Sequence, residues 1–184
     1  MIHKGTQTLR TPRLTLRRFR VEDAEKAFYN WTGDDEVTRY LSWPTHTHVS
    51  ITKMVLKDWV ASYENPDFYQ WAIEYEGQPV GSISVVEYNE KVRKAEIGYC
   101  IGKPWWHMGI TSEALKAVLD YLFDEVGFNR LQACHDVRNP NSGKVMAKCG
   151  MTLEGIHRQA GWNNQGFCDT AVYGILARES TKKG

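Results

Sequence analysis

The sequence predicts one α+β domain, in which helices pack on a mixed and mostly antiparallel β-sheet. Its 184 residues suit a single domain over positions 1–184, because no repeat, low-complexity tract or Pro/Gly-rich linker divides them. Two apolar runs joined by a glycine turn predict a hairpin in the middle of the chain. Strand and helix patterns alternate after it, which is typical of crossover connections. We expect six or seven strands and about four helices.

The first part of the chain is predicted to form one strand followed by two helices. Residues 13–19, RLTLRRF, alternate apolar and basic side chains and so predict a half-exposed strand. A helix is predicted over residues 21–33, with Gly33 as its end. A second helix is predicted over residues 50–65. Its apolar face would be formed by Met54, Val55, Trp59 and Val60.

Three strands and then alternating helices and strands are predicted for the remainder. The runs at 69–75 and 79–88 form the hairpin around Glu76-Gly77-Gln78, and residues 94–102 form the next strand. Apolar residues then recur with helical spacing, at Leu115, Val118, Leu119, Leu122, Phe123 and Val126. Further along the chain we predict a strand at 130–137, a short helix at 139–150, and one or two final strands ending at 170–177.

Composition and charge exclude several functional classes. The formal charge of +1, from 23 basic and 22 acidic side chains, does not favour a nucleic-acid or membrane surface. No apolar segment is long enough for a signal peptide core or a membrane span, so we expect a cytoplasmic protein. The four cysteines contain no CxxC pair, and His46-x-His48 is explained by a loop with two exposed histidines. We therefore expect no metal and no disulfide.

The first candidate site is the strand-to-helix junction PWWHMGITSEAL, residues 104–115. Gly109 allows a positive φ or a close approach of ligand to backbone. Thr111 or Ser112 is suited to cap the following helix, and its free N–H groups would form a cradle for phosphate oxygens. A tight turn before a capped helix explains the same residues without a ligand.

A second junction, NPNSGKVMAKCGM, favours the ligand interpretation. Asn139 is suited to cap this helix, Pro140 to its first turn, and Gly150 to its C-terminal end. Gly143 lies inside the short helix, where it costs about 1 kcal/mol relative to alanine. Close packing against a neighbouring element or a close approach of ligand would explain it.

Taken together, the two junctions resemble the GNAT superfamily of acetyl-CoA-dependent N-acetyltransferases, and more narrowly its RimJ/RimL-like branch. The resemblance extends over nearly the whole chain, through TPRLTLRRFRVEDA at the start, VGSISV in the middle and EGIHRQAGWNNQGFCDTAVYGIL near the end. It implies a central sheet splayed at the cosubstrate site. It also implies transfer of an acetyl group from acetyl-CoA to a primary amine, such as a protein N-terminal amine.

The resemblance also assigns residues to acetyl-CoA binding. The family's pyrophosphate loop aligns with Trp106, His107, Met108, Gly109, Ile110 and Thr111, followed by Ser112, although only Gly109 keeps the motif strictly. Main-chain groups of Tyr99, Cys100 and Ile101 would contact the pantetheine arm, as an added strand would. Asn139 would bind near the thiol end, in addition to capping its helix.

Two catalytic residues follow from the same comparison. Glu96 matches an acidic residue that relatives place near the acceptor amine, and it would act as the base; the alternative is a solvent-facing carboxylate paired with Arg93 or Lys94. Ser142 matches a serine that this branch commonly has near the leaving sulfur; the alternative is an ordinary helix-surface serine. Met146 stands where many superfamily members have a tyrosine that acts as the general acid, and a methionine side chain cannot donate a proton. Tyr99 is another possible donor, unless it serves only in packing.

The sequence does not identify the acceptor amine or the number of subunits. The loop at 40–48, YLSWPTHTH, is the first choice for a specificity segment, and Asp169 either binds an amine or holds the loop before it. We expect a monomer or a homodimer without nucleic-acid or membrane partners. The alternatives are an acyl-CoA sensor without catalysis on the same fold, and an acetyltransferase for antibiotics or polyamines.

Overall fold

A computed structural model describes residues 1–180, so residues 181–184 of the predicted domain lie outside the described residues. The described residues contain one eight-stranded sheet. Its strands are β1 (Leu9–Arg10), β2 (Leu14–Arg17), β3 (Gln70–Tyr75), β4 (Gln78–Asn89), β5 (Lys94–Ile101), β6 (Arg130–Asp136), β7 (Thr152–Asn163) and β8 (Gly166–Leu176). Along the sheet they follow the order β1-β2-β3-β4-β5-β6-β8-β7. Every neighbouring pair is antiparallel except β5 and β6. This confirms the predicted mixed and mostly antiparallel sheet.

Two of these strands were not predicted individually. β1 has two residues, too few for any periodicity to be visible. β7 lies at the edge of the sheet, and its residues are exposed along almost its whole length. It therefore lacks the alternation of apolar and polar residues that marks a half-buried strand.

Among residues 1–180, five α-helices flank the sheet, together with shorter helical turns. They are α1 (Ala24–Ala27), α2 (Asp35–Thr38), α3 (Val49–Ser62), α4 (Ile110–Tyr121) and α5 (Pro140–Lys148). α1 and α4 each continue directly into a π-helical turn, over Phe28–Thr32 and Leu122–Val126. Gly150, with φ of 85°, follows the end of α5 as predicted.

Helices cover the two faces of the sheet with separate apolar clusters. α4 and α5 pack on the larger cluster, which includes the fully buried Trp71 and Leu115. The smaller cluster joins α1 and α3 to the opposite face through Trp31, Leu56 and Ala72. The predicted apolar face of α3 was therefore partly wrong. Met54 and Val60 are exposed, because the buried face of α3 is formed by Leu56 and Thr52 instead.

β5 and β6 separate soon after they begin to pair. Their parallel register contains three residue pairs, the last of which joins Glu96 to Gln132. Beyond that pair, β5 stays bonded to β4 as far as Ile101, while β6 stays bonded to β8 as far as Asp136. The expected splay is thus present, and we call the point after the Glu96–Gln132 pair the fork.

Candidate active site

A cavity of about 510 Å³ opens at the fork. The end of β5, the start of α4, the start of α5 and the segment around α2 form its walls. Eleven residues that the resemblance assigned to the site contribute to the lining: Tyr99, Cys100, Ile101, Trp106, His107, Gly109, Ile110, Thr111, Ser112, Asn139 and Ser142. The structure therefore brings together segments that lie some 40 residues apart in the chain.

The start of α4 has the geometry of an anion cradle. Gly109 occupies the N-cap position with φ of 76°, and His107 before it also has a positive φ, of 62°. The predicted capping by Thr111 or Ser112 is wrong, because the helix already begins at Ile110 and both residues lie within its first turn. The free N–H groups at a helix start attract anions through their own dipoles and the helix dipole.

Cationic side chains gather around this cradle. A Cβ atom built on Gly109 would lie 3.5 Å from Nη2 of Arg13 and 3.7 Å from Nζ of Lys148. Met108, assigned to the cradle from sequence, does not line the cavity; its carbonyl oxygen accepts a hydrogen bond from Arg13 instead. The cradle thus combines backbone donors with two positive charges, an arrangement that favours the binding of anions.

Further basic residues line the same cavity, and sequence reasoning missed them. Arg39, Arg138, Lys144 and Lys148 contribute to its walls, whereas its acidic side chain, Glu36, is paired with Lys103 at 2.6 Å. Lys144 and Lys148 are four residues apart and so share one face of α5. This spacing in the sequence could have predicted a basic face on α5 beside the phosphate loop.

The two tryptophans of the junction have different roles. The indole Nε1 of Trp106 donates a 2.9 Å hydrogen bond to the carbonyl oxygen of Ile101, which joins the loop to the end of β5. Trp105 packs against the main apolar cluster and against Gly102, where a Cβ atom would lie 2.8 Å from the Trp105 ring. Both residues brace the loop, and both form part of the cavity wall.

The start of α5 corrects one prediction and settles another. Asn139 occupies the N-cap position but makes no capping hydrogen bond with its side chain, which lines the cavity instead. Gly143 is required by packing, because a Cβ atom there would lie 2.6 Å from the His135 ring and 3.0 Å from the Tyr173 hydroxyl. The side chain of Asn139 is therefore available to a ligand, whereas Gly143 is not a point of ligand approach.

Ser142 and Tyr99 form a pair across the cavity wall. The Tyr99 hydroxyl lies 3.0 Å from both the carbonyl oxygen and Oγ of Ser142. Burial raises the pKa of Tyr99 well above its usual range, an effect that the hydrogen bond to Ser142 only partly offsets. Tyr99 therefore keeps its proton at neutral pH. It both packs in the core and presents a proton donor to Ser142.

Glu96 lies at the fork but does not line the cavity. Its carboxylate accepts a 2.6 Å hydrogen bond from the side-chain amide of Gln132, its partner on β6, rather than pairing with Arg93 or Lys94. Its neighbours Ala95 and Ile97 are buried with α4, so Glu96 points to the opposite face of the sheet. Cys134 is close by, and burial followed by the charge of Glu96 raises the pKa of this thiol to about 12.

The β7–β8 hairpin is hydrogen-bonded to two segments beside the cavity, the end of β6 and the segment that begins at the end of α2. Asp136 accepts hydrogen bonds from the backbone and guanidinium of Arg138 and, at 2.8 Å, from Asn163. Arg138 lies 5.8 Å from the centre of the Tyr40 ring. Asn164 donates 2.8 Å hydrogen bonds to the carbonyl oxygens of Thr38 and Trp43. The hairpin therefore fixes part of the predicted specificity segment at 40–48.

We expect the stability of the fold to depend on the charge of Asp136. Its side chain is 1% exposed; burial alone would raise its pKa, but the hydrogen bonds from Arg138 and Asn163 outweigh burial and hold the pKa at about 2. A carboxyl group whose pKa is lowered by folding stabilises the folded state at pH values above its unfolded pKa, which is near 4. Here the stabilisation is about 2 kcal/mol, and it is lost as the pH falls from about 4 towards 2. In urea unfolding, Asp136→Asn is expected to be less stable at pH 7 and to approach the wild type near pH 2.5. A constant difference across this range would contradict the assignment.

Other candidate residues have structural partners. Asp169 accepts a 2.8 Å hydrogen bond from the backbone of Gln159, which supports its loop-holding role. His46 contacts Thr52, and His48 caps α3 through Ser50. Within residues 1–180, no group of three potential metal ligands comes together, the four cysteines are free thiols, and no helix is long and apolar enough to cross a membrane.

Comparison with known proteins gives a consistent set of matches. Residues 13–152 match the family described as "Acetyltransferase (GNAT) domain". The chain is 32% identical to the uncharacterized N-acetyltransferase YoaA of Bacillus subtilis (strain 168), over 91% of this chain and 96% of YoaA. It is also 32% identical to the putative ribosomal N-acetyltransferase YdaF of the same organism, over 68% of each.

Solved structures share the fold. A GNAT-family acetyltransferase from Bacillus anthracis superposes with a TM-score of 0.81 at 26% identity, covering 94% of this chain and 99% of that one. The ribosomal L7/L12 α-N-protein acetyltransferase RimL, in complex with coenzyme A, gives 0.84 at 19% identity, covering 95% and 100%.

Proposed function

This chain belongs to the GNAT N-acetyltransferases, and from that premise we propose that it transfers an acetyl group from acetyl-CoA to a protein N-terminal amine, as the RimJ/RimL-like branch does. The observation that carries the proposal is the cavity at the fork. There, the left-handed Gly109 and the free N–H groups of α4 face the open edge of β5. The phosphate end and the acyl end of one extended cosubstrate thus have adjoining sites.

The residues present fit coenzyme A. The cradle at Gly109, with Arg13 and Lys148 beside it, would hold the pyrophosphate, and Lys144 adds charge along the same wall. The edge of β5 after the fork offers main-chain groups to the pantetheine arm, and the side chain of Asn139 faces the same space. When bound, acetyl-CoA would supply an acetyl thioester, which a neutral amine can attack.

Glu96 and Ser142 would handle the protons from opposite faces of the sheet. Glu96, held by Gln132, would accept a proton from the acceptor ammonium at the fork. Ser142 would pass its hydroxyl proton to the leaving sulfur as the carbon–sulfur bond breaks, and it would regain a proton from the acceptor nitrogen, which loses one as the amide forms. The Tyr99 hydroxyl, 3.0 Å from Oγ of Ser142, would donate a hydrogen bond that stabilises the serine oxygen during this exchange.

The charge of the cavity distinguishes between classes of acceptor. Four basic side chains line it, and Glu36 is already paired with Lys103. A polyamine carries several positive charges and would be repelled there, whereas a peptide presents a single amine with a pKa of about 8. Relatives named as acting on ribosomal proteins, among them the ribosomal-protein-serine acetyltransferase of Escherichia coli, 31% identical over 53% of this chain, support the peptide class.

A direct test measures coenzyme A binding by calorimetry and the release of free thiol from acetyl-CoA. The acceptors would be peptides with N-terminal Ser, Ala or Thr, together with spermidine and an aminoglycoside. We expect binding, and thiol release only with the peptides. Binding without turnover of any acceptor would favour a sensor protein, and turnover of spermidine would overturn the acceptor class. Without any binding of coenzyme A, the proposed function fails altogether.

Glu96→Gln is expected to lower kcat/KM at least tenfold below neutral pH and much less at high pH. The acceptor amine is mostly protonated at low pH, so a base is needed there, and general-base catalysis typically contributes 10²- to 10⁴-fold. The pH profile of kcat/KM with a peptide acceptor provides the measurement. Gln132→Glu serves as a comparison, since it adds a like charge beside Glu96. An unchanged profile in Glu96→Gln would remove this residue from the mechanism.

A further inference from the structure

Arg13 links the start of β2 to the phosphate loop, although almost 100 residues separate them. Its Nη1 donates a 2.9 Å hydrogen bond to the carbonyl oxygen of Met108, the residue before Gly109. Its Nε donates a 2.7 Å hydrogen bond to Glu113 in the first turn of α4. One guanidinium group therefore spans the junction between the loop and the helix.

Glu113 gives this link a rigid anchor. Its carboxylate accepts hydrogen bonds from the backbone N–H of Arg13, at 3.0 Å, and from the hydroxyl of Thr11, at 2.6 Å, as well as from the Arg13 guanidinium. Partial burial alone would raise the pKa of Glu113, but the bonds from Thr11 and Arg13 outweigh burial and lower the pKa. Glu113 thus stays ionised at neutral pH and keeps its partners.

The remaining nitrogen of Arg13 lies beside the cradle, although Arg13 is not among the residues that line the cavity. Nη2 lies 3.5 Å from the Cβ position of Gly109, and no acceptor within residues 1–180 bonds to it. The bond from Arg13 to the carbonyl oxygen of Met108 fixes the orientation of the peptide unit that joins Met108 to Gly109. In a free chain, a left-handed conformation is sterically unfavourable for His107 and entropically costly for Gly109. A side chain that bonds to the loop from another segment would therefore stabilise this conformation.

We propose that Arg13 is a positioning residue for the phosphates of the cosubstrate: it holds the loop in its anion-binding conformation and adds a positive charge beside the cradle. This inference rests on the function proposed above. It also explains why the start of the chain, far from the reacting atoms, contributes to the site. An arginine is suited to the task because its planar group can donate to a carbonyl, a carboxylate and a phosphate together.

The test compares Arg13→Met with the wild type on two acyl donors. With acetyl-CoA, we expect the KM of the donor to rise about tenfold or more, with kcat within about twofold, since charge-assisted hydrogen bonds to phosphate contribute to donor binding. With acetyl-pantetheine, which lacks the pyrophosphate, wild type and variant should give equal kcat/KM. An equal loss on both donors would mean that Arg13 only supports the fold, and no loss on either would also overturn the proposal.

Matched variants separate the contributions. Arg10→Met removes an exposed arginine from β1 and should leave both donors unaffected. Glu113→Gln should weaken acetyl-CoA binding less than Arg13→Met, and the double variant should be no worse than Arg13→Met alone. Calorimetry with coenzyme A distinguishes the two levels of the argument. If the wild type does not bind, the proposed function fails; if the wild type and Arg13→Met bind equally, only this inference fails.

Discussion

Replacing Gly109 with tryptophan is expected to raise the dissociation constant for coenzyme A at least 100-fold. Two effects combine in this variant. A residue with a Cβ atom at φ of 76° adds about 1–2 kcal/mol of strain, and the indole would occupy the space that faces Arg13 and Lys148. Loss of the backbone cradle removes several charge-assisted hydrogen bonds, each of about 1.5–3 kcal/mol. Calorimetry with coenzyme A measures the change directly.

Two further variants distinguish occlusion of the cradle from strain in the backbone. Gly109→Ala adds only a methyl group with no severe contact, so it should show the strain alone and weaken binding far less than tryptophan. Gly77→Trp places the same side chain at a φ of 76° in the turn between β3 and β4, with no atom within 4 Å of its Cβ position. It should lower stability but leave binding intact. Equal binding by Gly109→Trp and the wild type would show that the phosphates lie elsewhere.

Gly81→Ala is expected to have the largest effect on stability, about 2–4 kcal/mol, as overpacking at a buried position costs. Gly81 faces Ile101 across β4 and β5. A Cβ atom there would overlap the carbonyl oxygen of Cys100 and lie 2.9 Å from Cα of Ile101. Because both contacts are backbone, the strands must move apart, and the edge of β5 that faces the cavity must move with them.

Gly155→Ala provides the matched control for this effect. Gly155 also lies in a strand, β7, but its Cβ position has no neighbour within 4 Å and its φ is not positive. Urea unfolding should therefore place Gly155→Ala close to the wild type and Gly81→Ala far below it. We also expect Gly81→Ala to bind coenzyme A more weakly. If the two alanine variants were equally stable, the close approach of β4 to β5 would not be a constraint on the fold.

The parts of the molecule that sequence reasoning predicted depend on local signals. The helical spacing from Leu115 to Val126 and the glycines at 77, 109 and 150 each specify a backbone conformation within a few residues. The order of these elements was then enough to predict the mixed sheet. The lining of the cavity was implied instead by the resemblance of the two strand-to-helix junctions to the GNAT superfamily, which assigned residues 99–101, 106–112 and Asn139 to one site.

What could not be predicted depends on contacts between distant segments. Nothing local to Arg13 indicates that it bonds to Met108 and Glu113, and its contribution emerges only when β2 is placed beside α4. Asn139 was predicted both to cap α5 and to face a ligand; it lines the cavity, but its side chain makes no capping hydrogen bond. Gly143 was ambiguous because the His135 and Tyr173 side chains that exclude a Cβ atom come from two other strands. In each case tertiary packing determines the role of the residue.

The short pairing between β5 and β6 has a mechanical consequence. Three residue pairs join strands β1–β5 to strands β6–β8 within the sheet, so a small rotation about the fork changes the width of the gap beyond it. A ligand that bonds to both walls would oppose this rotation. We therefore expect a ligand bound across the gap to raise the free energy of unfolding of the sheet, by an amount that grows with the logarithm of the ratio of its concentration to its dissociation constant.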